Sequence, residues 1–214
     1  MSAGLPWQPL AMSAVELIGL ATTLSLLAGW RLYLCVFATG LAMQLGWLEL
    51  PEHLNGLVVL ANPWVIGAAG IGLVAEFLAD KVAWVDSAWD AVHTFVRPVG
   101  GALLALAVVD PGDPAWQLVA LLLGGGGAFI AHGAKAGARA VVNTSPEPFS
   151  NVAVSTLEDI VTGGLLALVF AFPAAAVVIA LLLLAMVVAL VLLLRRLVAR
   201  IRRRQPAPRQ TAGR

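Results

Sequence analysis

Six stretches of the chain are almost continuously apolar: 14–45, 64–82, 87–109, 116–142, 152–172 and 174–194. A helix rises about 1.5 Å per residue and needs roughly 20 apolar residues to cross the hydrocarbon of a bilayer. Each stretch is at or near that length, although several are imperfect spans. Between them lie residues that favour turns and caps: ELPEHLN at 49–55, a short turn near Val85, DPGDP at 110–114, NTSPEPFSN at 143–151 and a break at Pro173. The pattern predicts an all-α, polytopic membrane protein of about six membrane-embedded helices.

The polar positions that interrupt this pattern fall into two helix-break-helix hairpins. In the first, Val74 to Pro98, Glu76 and Asp80 are four apart, as are Asp86 and Asp90, and Asp90, His93 and Arg97 continue a spacing that stacks side chains on one helix face. Asp86 with Ser87 reads as the N-cap of the second helix, and Pro98 as a weak point beside Arg97. Only about a dozen apolar residues remain outside the charged part of each helix, too few to cross ~30 Å. Part of the cluster is therefore expected below the membrane surface, with Arg97 paired to Asp90 or Glu76 and Lys81 to a neighbouring carboxylate. The plainer alternative is a charged hairpin in cytoplasmic water.

In the second hairpin His132, Lys135, Arg139 and Asn143 share one helix face, and after the NTSPEPFSN turn the next helix, capped by Ser150 or Asn151, carries Ser155, Glu158, Asp159 and Thr162. Anchoring by Lys135 and Arg139 explains the bases but not His132 or Asn143. GGALLALAVV at 100–109 and GGLLALVFA at 163–171 suggest an internal duplication of the hairpins, the arrangement from which many transporters build a midplane site. A third feature is LAGWRLYLC at 27–35, where Gly29 and Arg31 interrupt a stretch longer than one crossing needs. Either the helix unwinds there, or it is one long tilted helix in which Arg31 pairs with an acid from another helix.

Composition agrees with a bilayer as solvent. Of 214 residues 60% are hydrophobic and 12% charged, against about a quarter charged in soluble domains, and mean hydropathy is +0.92. Seven of the 13 basic residues fall between Arg196 and Arg214. That run reads as a cytoplasmic C-terminus holding anionic lipid headgroups, and with six crossings the N-terminus is cytoplasmic too. The expected organisation is an N-terminal segment 1–12 without the basic start of a cleavable signal, a transmembrane domain 13–198, and a basic disordered tail 199–214. Cys35 is alone and reads as packing.

No nucleotide fingerprint, HEXXH or GXSXG motif is present, and GGGG at 124–127 fits close helix packing better than a phosphate loop. No cofactor, nucleic-acid partner or catalytic residue is expected. Ser155, His132 and Asp159 would form a triad only if the geometry brought them together. Glu76, Asp80 and Asp86 could offer oxygens to a hard cation.

EFLADKVAWVDSAWDAVHTFVRP and KAGARAVVNTSPEPFSNVAVSTLED, with GWRLYL in the expected order, resemble the DUF4126 family of small bacterial membrane proteins over about 15–172. That family often has proline where Ala83 stands and a GLNAYLP-like sequence in place of GWRLYLC, which would make the break softer here and Arg31 idiosyncratic. The resemblance implies a multi-pass fold in the bacterial inner membrane and no activity. The residues themselves suggest a small transporter or lipid/anion-translocating protein. Its polar site would comprise Glu76, Asp80, Asp90, Arg97, His132, Lys135, Arg139, Asn143, Glu158 and Asp159, with membrane lipids and a small anion or ion as partners and an oligomer as one form of assembly. A noncatalytic scaffold and a divalent-cation transporter are the alternatives.

Overall fold

The computed structural model describes residues 13–48, 52–109, 112–144, 149–172 and 174–204. They form seven helical elements and no strand: α1 (Ala14–Gln44), a 3₁₀ segment (Glu52–Ala61), α2 (Pro63–Ala79), α3 (Ala83–Leu106), α4 (Pro114–Val142), α5 (Phe149–Ala171) and α6 (Ala175–Arg204). The expected N-terminal segment 1–12, Pro146, Pro173 and the tail beyond 204 lie outside the described residues. α6 continues to Arg204, so residues 199–204, expected as tail, are helical.

Local chemistry explains the helix starts. Ser13 accepts from the Glu16 N–H while the Glu16 carboxylate takes the Ser13 N–H, a reciprocal cap. Asn62 and Asp113 cap α2 and α4, each followed by a proline whose missing N–H costs nothing in the first turn. Three expectations fail here. α3 starts at Ala83 rather than at Asp86 and Ser87, after a turn at Asp80–Val82; α5 starts at Phe149, so Ser150 and Asn151 lie inside it; and the 3₁₀ segment occupies what reads as a loop.

By length and apolarity four helices could cross a bilayer, α1, α4, α5 and α6, and the 3₁₀ segment with α2, meeting at 72°, would make a fifth. Six crossings are not reached by this measure, which α3 misses because of its buried Asp86, Asp90 and Arg97. The molecule is inside-out relative to a soluble protein. Four basic side chains are among its most buried, while Trp47, Trp64, Ile71, Trp84, Phe95 and Phe149 are exposed, as lipid-facing surface requires. Trp47 and Trp64 lie at one end of the bundle and Trp84 at the other, where aromatic rings suit the two membrane interfaces.

α1 is not a straight rod. Arg31 leaves helical geometry (φ −143°, ψ 73°), and contacts at the two ends of α1 show the result. Thr23 donates to the Ala176 carbonyl at the start of α6 at 2.9 Å. Ala171, five residues earlier and joined to it by a tight turn, lines a cavity with Ala42 and Trp47. Likewise Gly40 meets Leu60, and Gly56 meets Ala107, which lies beyond the point where Ser25 bonds the Gly101 carbonyl. A continuous helix would hold residues 23 and 42 about 28 Å apart. Both ends of α1 therefore lie at the same end of the bundle, and Arg31 sits at the apex of a V.

An apolar core of Leu20, Leu24, Leu57, Leu104, Val108, Val169 and Ile179 fills the end away from that apex. α3 and α4 make the closest pair, with Gly101 against Ala128 and Gly124 against Ala105. The glycine run thus serves packing through Gly124. A Cβ added at Gly163 or Gly164 would meet nothing within 4 Å, so the two GG pairs do different work and lend the duplication no support.

Candidate functional site

The two polar hairpins and the break in α1 meet in one buried ion-pair network. Arg31 is its hub. Its guanidinium lies 2.5 Å from Asp80 on α2's C-terminus, 3.0 Å from Glu158, 3.1 Å from Asp159 and 3.6 Å from Glu76, and it donates to the Ser155 hydroxyl and carbonyl at 3.0 Å. Glu76, fully buried, is held in turn by Arg97 and by Lys135 at 3.2 Å. Arg139 reaches Asp86 at 3.2 Å and the Asp80 carbonyl at 2.9 Å, and Asn143 donates to Asp86 at 2.7 Å.

The break in α1 and the network explain each other. Two residues before the break, the Gly29 carbonyl accepts a hydrogen bond from Arg97 at 3.2 Å. A side chain entering the helical ladder is one of the few causes of a sharp kink. The bend then frees Arg31 to point into the carboxylates. The break is the alternative realised; the long tilted helix is not, although Arg31 does pair with acids from other helices.

His132 has a fixed tautomer. A guanidinium can only donate, so the His132 Nδ1 facing Arg97 at 2.9 Å is an acceptor, and its Nε2–H donates to the Asp90 carbonyl at 2.9 Å. Protonating Nδ1 would place two donors against each other, so His132 fits a structural role better than a relay. His93 gives its Nδ1–H to the Trp89 carbonyl at 2.7 Å and faces the Tyr33 hydroxyl at 2.9 Å, with its ring stacked on Trp89.

All ten residues singled out in the sequence gather here, Asp90 on the rim 3.8 Å from Arg97. Arg31, Asp86 and Ser155 complete the site and were absent from that set. Ser155 donates to Asp80 at 2.9 Å while both nitrogens of His132 are engaged elsewhere, so the triad does not form. Among the described residues Lys81 makes no ion pair with a neighbouring carboxylate; it lies 3.8 Å over the Phe77 ring and 3.4 Å from the Ser155 hydroxyl, and burial pushes its ammonium below its ordinary value. Among the described residues no group of three or more His, Cys, Asp or Glu is arranged to hold a metal ion.

Every lysine and arginine that precedes Arg195 is thus in or beside the network. Four cations, Arg31, Arg97, Lys135 and Arg139, face six carboxylates, Glu76, Asp80, Asp86, Asp90, Glu158 and Asp159. The four buried acids balance the four bases, so the excess sits on Glu158 and Asp159 at the less enclosed edge, beside Lys81, where a proton or a mobile cation can offset it. Several oxygens, among them Glu76 Oε2, Asp80 Oδ1 and Glu158 Oε2, are buried without a well-formed hydrogen bond.

An all-helical bundle with four membrane-length apolar helices and its charge turned inward is a multi-pass membrane protein. The chain belongs to the family described as a domain of unknown function, DUF4126, whose sequence pattern matches residues 18–193. No curated protein and no solved structure matches it.

Proposed function

We propose that this chain is a small secondary transporter of the bacterial inner membrane, coupled to protons through the acid-rich network closed on the break of α1. The observation that carries the reading is the excess of carboxylates over cations in this network, six against Arg31, Arg97, Lys135 and Arg139 with Lys81 beside them, located next to a helix break. Glu158 and Asp159 are the natural seat of that surplus, since Asp159, 26% exposed, is the least enclosed acid of the network.

The same charge balance argues against an anionic cargo. Arg31, Arg97, Lys135 and Arg139 each already face at least one carboxylate, so an anion drawn to them would have to displace one. A divalent cation lacks a ligand set among the described residues. The scaffold reading rests on a different observation, the near-complete burial of Arg31, Glu76, Arg97, Lys135 and Arg139.

The experiment that separates the two uses purified protein in liposomes loaded with a pH-sensitive dye, challenged with a panel of amines, carboxylates and phosphates. Solute-driven proton movement that Glu158→Gln abolishes, in a protein that still folds, is expected. A folded protein that moves no protons with any class of solute hands the site to the scaffold reading. Orientation is part of the proposal. The basic end of α6 puts the C-terminus in the cytoplasm. With α1 bent back on itself, the crossings are the 3₁₀ segment with α2, then α3 (which runs between α2 and α4 despite its charges), α4, α5 and α6; these five place the N-terminus on the opposite side, not the cytoplasmic side that six crossings require.

A further inference from the structure

Beside the network, between α1, α5 and α6, lies a cavity of about 190 Å³ walled by Leu26, Leu27, Trp30, Leu165, Leu183 and Val187. Its lining is apolar except for Glu158 and Thr162. Leu157 and Val161 form a rim on α5 and are themselves exposed to the lipid-facing surface, so the cavity opens sideways toward the bilayer. α5 packs mainly on α1 and only lightly on α4 and α6, which leaves that side gap unsealed.

Glu158 joins this cavity to the ion pairs. Its side chain is 9% exposed, and Oε2 lies 3.0 Å from Arg31 and 4.0 Å from Lys135 without a well-formed hydrogen bond to either. Asp80 from α2 and Arg139 from α4 also act on it, and Asp159 follows it on α5. A carboxylate in an acid-rich network, at the wall of an apolar cavity and short of donors, is complementary to a donor-rich cation carrying an apolar body.

We infer that this cavity binds an amphipathic amine, entering from the bilayer and placing its ammonium on Glu158. An apolar cavity of ~150 Å³ holds one benzene ring, so the class is an amine bearing a single aromatic ring or a short alkyl chain. Trp30 in the wall adds a π face for the cation or the ring. Binding displaces a proton when Glu158 is protonated in the empty state, which gives the exchange that proton-coupled transport needs. The inference rests on the transporter reading only for that last step.

The test is equilibrium binding of radiolabelled phenethylamine to the full chain in phosphatidylcholine nanodiscs, with benzyl alcohol and phenylacetate as neutral and anionic competitors. Saturable binding is expected that neither competitor removes, that weakens as pH falls, and that drops at least about tenfold in Glu158→Gln, the size of one lost charge-assisted bond. Val161→Trp, which narrows the rim and leaves every charge in place, should weaken binding by a similar factor in a protein that folds normally. Equal displacement by the neutral and anionic rings, or binding that survives both variants, overturns the inference. Absence of amine binding in a protein that still moves protons with another solute overturns the inference alone, whereas absence of both overturns the transporter reading as well.

Discussion

Two glutamates of the same network live in different surroundings. Glu76 is wholly enclosed, with Arg97, Lys135 and Arg31 converging on one oxygen from three helices. Glu158 shares Arg31 and Lys135 but lies at the wall of an apolar cavity that opens to lipid. The first ties α2 to α1, α3 and α4; the second is the place where the charge balance can change without the helices parting. One interior thus holds a lock and a site built from the same residue types.

The sharpest way to break the comparison is Glu76→Ala. Leaving three cations buried without their shared partner should destabilise the protein by about 3–5 kcal/mol, read as loss of monodisperse protein after solubilisation, whereas Glu158→Gln should keep its yield. If both variants fold equally well, Glu76 is no lock. Arg31→Lys comes next. One ammonium cannot face four carboxylates as a guanidinium fork does, so a drop in thermal midpoint larger than that of Lys135→Arg is expected, and an unchanged midpoint would remove Arg31 from the hub.

Gly101→Val probes the apolar half instead. A Cβ at Gly101 would press on Ala128 and on the Gly124 carbonyl, an overpacking cost of about 1–3 kcal/mol that Gly163→Val should not share. The smallest effect belongs to Asp159→Asn. At the network's edge this change should leave stability almost untouched and shift only the pH at which proton movement is half-maximal. A large loss of fold there would place Asp159 in the lock with Glu76. Protease-accessible tags on both termini of sealed vesicles add a check on the V of α1: opposite sides are expected, and a shared side would restore a straight crossing.

Much of the site was legible because spacing of three and four residues marks a helix face whatever covers it. Glu76, Asp80, Lys135 and Arg139 were readable in that way; that Arg97 pairs with Glu76 or Asp90 followed instead from the cost of an unpaired charge in the membrane. Spacing along one helix says nothing about which faces meet. Arg31 lies 45 residues or more from its acids, and Ser155 looked like one hydroxyl among several. The 3₁₀ segment shows the opposite failure. Leu54, Leu57 and Leu60 recur every third residue, the period of that helix, but the turn-favouring ELPEHLN at 49–55 read as a loop. Six crossings find no confirmation, for a physical reason: hydropathy measures length along the chain, and α1 turns its length back on itself at one residue.

That turn has an electrical consequence. A helix carries about half a positive charge at its N-terminus and half a negative charge at its C-terminus. α2 and α4 end at the network and α3 and α5 begin there, while the break gives α1 one end of each kind at Arg31. Six termini converge in three opposite pairs, so their fields largely cancel, and the backbone leaves the sign of the interior to be set by side chains. A single proton gained or lost on one carboxylate is then the dominant change in potential across the centre of the protein.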